Sequence, residues 1–163
     1  MSRPISELET ILQQMIVEHR KLLEFLNVQQ AAMKTCDLKV MDTCAVQQEA
    51  CRLRITGLDQ RRRLTSAVIS KELKLTGEVT LRRLAAVYPP RSAALLKLRD
   101  ELKRVTEDVR TRAYISGRVA NAVLGHLNTV VRVVAGAVER AGLYNKRGVP
   151  RMTNRIGVME AVG

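Results

Sequence analysis

The residues in this chain that could do chemistry are three cysteines, two histidines and two clusters of arginine. Cys36, Cys44 and Cys51 invite a metal reading first, but they stand eight and seven residues apart. On a helix that is about 10–12 Å between neighbours. Three thiolates so spaced cannot converge on one zinc, whose Zn–S bonds are about 2.3 Å. They read as small apolar residues, and an odd number implies no closed disulfide framework. His19 and His126 both fall on apolar rows, and no nucleophile motif accompanies them. They fit hydrogen-bonded core groups or register devices better than catalysts. The acidic residues sit among basic ones at helical spacing, as in Asp100-Glu101 beside Lys103-Arg104, the pattern of a solvated helix face. Neither GxGxxG nor GxxxxGK[ST] occurs. The expectation is therefore no catalysis, no cofactor and no bound metal. Arg61-Arg62-Arg63 and Arg82-Arg83 could meet phosphates, yet no helix-turn-helix, zinc site or aromatic stacking platform supports nucleic-acid binding.

Such side chains need elements to position them, and the composition narrows these to helices. Of 163 residues, 46% are hydrophobic but only 2% are aromatic, with 9 Gly and 4 Pro. That is too few turn formers for an all-β chain and too few aromatics for most mixed folds. The net charge of +12 is spread along the chain and is compatible with acidic partners without demanding them. No secretory leader is expected, since Arg3-Pro4 opens a mixed polar segment. Residues 119–138, the most apolar stretch, are interrupted by Asn121, His126, Asn128 and Arg132 and do not read as a membrane span. A cytoplasmic location follows as the expectation.

Apolar periodicity places the helices. Leu8, Leu12, Met15, His19, Leu22, Leu26, Gln29 and Met33 recur in alternating steps of 4 and 3, a heptad seam. With Ser6 and Glu9 as a capping box, this predicts a first helix over 6–34. Asp37 is the next N-cap. Met41, Cys44, Gln48, Cys51, Ile55 and Leu58 then predict a second helix running to about residue 73. Thr76-Gly77 breaks it, a short helix fits 78–87, and Pro89-Pro90 ends that one. Ser92 is the natural N-cap of the last helix, whose seam runs from Leu95 to Ala137 and stops near Gly142. The architecture expected is all-α: an elongated antiparallel three-helix bundle over residues 1–141, with coiled-coil-like helices, one short helix and a flexible C-terminal tail. Residues 142–163 lose the period but keep apolar handles, among them Met152 and Ile156, for a partner.

Three stretches together resemble the flagellar hook-junction export chaperones, the FlgN family of type III secretion. The first is the long helix ending in Gln29-Gln30-Ala31-Ala32-Met33 with Asp37 after it. The second is Leu58-Asp59-Gln60-Arg61-Arg62-Arg63-Leu64, similar to the end of that family's second helix. The third is the last helix, with Asn121 and Leu124, leading to Leu143-Tyr144-Asn145-Lys146-Arg147-Gly148, which is similar to a Leu-Tyr-x-x-x-Gly motif before a variable tail. The resemblance implies a cytoplasmic chaperone that binds the C-terminal segments of hook–filament junction proteins and delivers them to the cytoplasmic domain of the flagellar export gate. It implies docking on the gate around Leu143, Tyr144 and Gly148, with Tyr144 as the contact; the other reading has Tyr144 packing at a helix end. The client surface expected is Val130, Val133, Val134 and Val138 with Met152 and Ile156, as a helix-in-groove contact. The same valines could instead close the chain's own bundle or a homodimer. The rival classes are a structural coiled-coil or assembly protein without an export client, and a basic bundle associated with nucleic acid.

Overall fold

The computed structural model describes residues 2–75 and 80–142, and the side chains of 3–75 and 80–137. Its elements are α1 (Ser2–Thr35), α2 (Leu38–Glu72), α3 (Leu81–Val87), a 3-10 turn (Pro89–Arg91) and α4 (Ser92–Gly142). Among the described residues there is no strand, and only the short links between these elements are not helical. The all-α fold read from the heptads is the fold observed.

The α1–α2 hairpin turns on Cys36, which adopts a left-handed φ of 55°. The Asp37 amide donates to the Ala32 carbonyl at 3.0 Å, and the Asp37 carboxylate then accepts from the Val40 amide at 3.1 Å, capping α2 as its residue type predicts. Glu18 with Arg54 at 2.8 Å, and Gln29 with Gln48 at 2.9 Å, pair the two helices in antiparallel register. α4 runs alongside α1 in the same direction. Their bonds climb both chains together: Arg91 to Glu9 at 2.9 Å, Arg20 to Glu101, and Arg112 to Gln30 at 3.0 Å.

The deepest packing lies where the start of α1, the end of α2, α3 and the start of α4 meet. Ile5, Leu8, Leu12, Ile69, Leu84, Ala85 and Leu95 form one buried cluster, with Leu98, Leu102 and Tyr88 packed against it. Each fully buried leucine contributes about 1.5–3 kcal/mol by leaving water. This cluster explains α3, whose seven residues could not hold a helix alone. Thr80 caps it by accepting from the Arg83 amide, and Leu84 and Ala85 anchor it.

Two boundaries differ from the sequence expectation. α1 begins at Ser2, ahead of the Ser6–Glu9 box. Pro4 is tolerated in a first helical turn, and burial of Ile5 in the core rewards the extra turn. Ser92 does not act as an isolated N-cap, because Pro89–Arg91 already wind a 3-10 turn into α4 and Ser92 has helical φ and ψ. Cys44 and Cys51 are buried as expected, but Cys36 is exposed at the turn. α2 closes with Lys74 at a left-handed φ of 52° and the Ser70 hydroxyl donating to the Leu75 carbonyl at 3.0 Å. Residues 76–79, where the short helix was expected to start, lie outside the described residues.

The chain divides into two compact units at Ala120, so that α4 contributes its first part to the first unit and the rest to the second.

Candidate functional site: the exposed apolar face of α4

The α4 seam changes character along its length although its spacing does not. Leu95, Val105 and Ser116 are buried, and Leu98, Leu102, Val109 and Arg112 are half-buried. From Gly117 to Ala137 no described residue is buried. Val119 and Val123 are intermediate, and Val130 and Val133 are exposed, so the same seam that closes the bundle ends as bare aliphatic surface. At the last buried positions of the seam the side chains turn polar. Arg112 donates to Gln30, and the buried Ser116 hydroxyl has no partner among the described residues.

Of the residues expected to hold a client, Val130, Val133 and Val134 lie together on this face. Val138 belongs to α4, but its side chain lies outside the described ones, as do Met152 and Ile156 altogether. The expected docking residues Leu143, Tyr144 and Gly148 also lie outside the described residues. Three members of the face were missed by counting the heptad seam alone: Leu124, Leu127 and Val131. Counted at 3.6 residues per turn, Leu124, Leu127, Val131 and Val134 fall on one stripe, and that count would have found them. Exposure across the face runs from 48% at Leu127 to 64% at Val131. Arg118, Asn121, Asn128 and Arg132 recur on the opposite side. An eighteen-residue window of α4 reaches a mean hydropathy of 1.2 with none of it buried, so by length and composition alone the helix could cross a membrane. The polar strip instead marks an amphipathic helix, the form that docks a protein groove or partner helix.

Within the first unit, ion pairs join α1 to α2 at Glu18–Arg54 and brace α2 internally at Asp59. Burial pushes the Glu18 carboxyl up, but hydrogen bonds from Lys21 and Arg54 outweigh it and leave the pKa lowered. Asp59 follows the same logic under Arg62 and Arg63, both at 2.8 Å. His19 is buried on the seam with its Nδ1 2.7 Å from the Met15 carbonyl, a satisfied core histidine. His126 is exposed. Burial raises the Cys44 thiol pKa, which disfavours the thiolate a metal would need. Among the described residues no group of three or more His, Cys, Asp or Glu side chains could hold a metal ion.

A family model described as FlgN protein matches residues 1–151. The chain belongs to the FlgN family. The matched range takes in the Leu143–Gly148 segment and stops short of Met152 and Ile156. Neither the curated proteins nor the solved structures yield a match. FlgN proteins are flagellar export chaperones, so this chain serves flagellar biogenesis by binding a flagellar protein. Family members are not known as enzymes.

Proposed function

We propose that this FlgN protein is a cytoplasmic chaperone of hook–filament junction proteins, holding their C-terminal segments and passing them to the flagellar type III export gate. The observation that carries this reading is the exposed aliphatic face of α4 on a family member whose bundle needs none of it for its own core. A client helix laid on Leu124, Leu127, Val130, Val131, Val133 and Val134 would bury what is now in water, at about 25 cal/mol per Å². Val138, Met152 and Ile156 extend the same surface in this proposal. Docking on the gate is assigned to Leu143, Tyr144 and Gly148, a segment distinct from the client face.

Binding on this reading is apolar and needs no cofactor, metal or covalent step. Its affinity should therefore be nearly independent of salt, whereas a phosphate binder loses affinity steeply as salt rises. The test is calorimetry of the full chain with a hook–filament junction protein at two salt concentrations, beside a secretion assay. Tight, salt-insensitive binding that Val133→Asp removes supports the proposal. The absence of binding to any junction protein would return the chain to the class of structural coiled coils.

A further inference from the structure

α1 pairs with α2 through Glu18–Arg54 and with α4 through Glu9–Arg91, and a groove of about 550 Å³ opens between α2 and α4 with α1 as its floor. Met15 and His19 of α1 are buried at its bottom, and Ile55 of α2 and Leu102 of α4 are half-buried walls. Thr56, Gln60, Arg63 and Thr106 form an exposed rim. None of these residues belongs to the client face or to the segment assigned to the gate.

His19 gives the groove its chemistry. The residue is 8% exposed, and its Nδ1 stands 2.7 Å from the Met15 carbonyl. A carbonyl only accepts, so Nδ1 carries the proton, and in the neutral ring Nε2 is a bare acceptor. The bond to Met15 satisfies Nδ1 alone: Nε2 has no hydrogen-bond partner among the described residues. Nor is it among the unpartnered atoms sealed from solvent there, which are Glu9 Oε1 and Ser116 Oγ. It therefore looks into the groove. The donors near it are spent elsewhere. The Thr56 hydroxyl donates to the Arg52 carbonyl at 3.0 Å, the Thr106 hydroxyl to the Leu102 carbonyl at 2.8 Å, and Arg63 Nε to Asp59 at 2.8 Å. The groove is an apolar slot with one unmatched acceptor at its bottom.

We propose that this slot takes a tyrosine side chain presented by a protein partner, with the ring against Met15, Ile55 and Leu102 and the hydroxyl donating to His19 Nε2. With the acceptor at the bottom and the rim in water, the donor must sit at the far tip of an apolar side chain. Serine and threonine are too short to fill the slot, and tryptophan carries its N–H on the side of the ring. Lysine would bring a charge to a neutral acceptor, and Asp59 already holds both Arg62 and Arg63. The Met15 thioether suits an aromatic neighbour. The open rim calls for a tethered occupant, because pockets for free small ligands bury about 70–90% of the ligand surface.

Titration of the full chain with N-acetyltyrosinamide and with N-acetylphenylalaninamide tests this, read by nuclear magnetic resonance at the His19 ring and the Ile55 and Leu102 methyl groups. The tyrosine amide should shift these signals, and the phenylalanine amide should bind about tenfold more weakly, because it covers Nε2 without supplying a donor. His19→Leu keeps the seam apolar and should erase that difference. Thr106→Phe, at the exposed rim, should fill the slot and weaken both amides at least tenfold, which keeps the test open if His19→Leu fails to fold. Signals unmoved up to about 50 mM amide overturn the proposal. So does equal binding of the two amides, or a preference for tyrosine that survives His19→Leu. Groove signals that move instead on concentrating the chain alone, or on adding a junction protein, give the slot to a second copy or to the client and refute a separate tyrosine-bearing partner.

Discussion

Replacing Val133 by aspartate separates a surface that works outward from one that holds the fold together. Val133 is 62% exposed and its neighbours on the α4 face are exposed too. Valine and aspartate rank together in helix propensity, and a surface change of this kind shifts stability by no more than about 0.5 kcal/mol. The melting temperature of the free chaperone should therefore move by about 2 °C or less. The complex should respond differently. Burying the exposed part of a valine contributes about 1 kcal/mol, and leaving a carboxylate unpaired in an apolar contact costs at least about 2 kcal/mol more. The sum, about 3 kcal/mol, is roughly a 150-fold loss of client affinity. Calorimetry against a junction protein reads that loss, and a thermal melt of the same sample reads the fold. An unchanged affinity would remove this face from the client site. A melting point lowered by ten degrees would show that Val133 closes the protein's own structure.

The core should behave in the opposite way. Leu95→Ala empties a fully buried site against Leu8, Leu12 and Leu84 and should cost about 2–5 kcal/mol, seen as an early chemical unfolding transition, while the α4 face is untouched. Acid should loosen the bundle through Glu18 and Asp59. Their folded pKa values lie below the ordinary 4.5 and 3.8, so their contribution is present above those values and is lost as pH falls through the folded ones. Glu18→Gln should flatten that acid limb in a pH series of unfolding curves; an unchanged limb would remove Glu18 from the account. Tyr144→Ala should lower export in a secretion assay and leave client affinity within about twofold, because one interface tyrosine can be a hot spot for its own partner alone. Loss of client binding in that variant would merge the two sites.

The fold was legible because its burial follows heptads. Leu8, Leu12, Met15, His19, Leu26 and Met33, in steps of 4, 3 and 7 with the half-buried Leu22 and Gln29 between the last three, are the buried seam of α1. The row in α2 continues as regularly past Leu58 to Thr65 and Ile69. The termini were less legible because local signals competed with burial. The Ser6–Glu9 box is a good helix start, but Ile5 in the core draws the helix back to Ser2. The candidate site was only half legible for a different reason. Period alone cannot tell which partner covers a seam, and the α4 seam keeps its period from Leu95 to Ala137 while its burial ends at Ser116. In α2 the exposed Val46, Leu53, Leu64 and Val68 lie across the helix from the buried Cys44, Cys51 and Ile69, and two opposed apolar faces cancel the asymmetry by which an amphipathic helix is recognised.

The most direct test of the chaperone account is amide hydrogen exchange of the full chain with and without a hook–filament junction protein. Bound client should slow exchange over residues 117–137, where no described side chain is buried in the free protein, and leave the α1–α2 seam unchanged. Protection confined to the seam or to the α1–α2 turn, with α4 exchanging as it does alone, would contradict it.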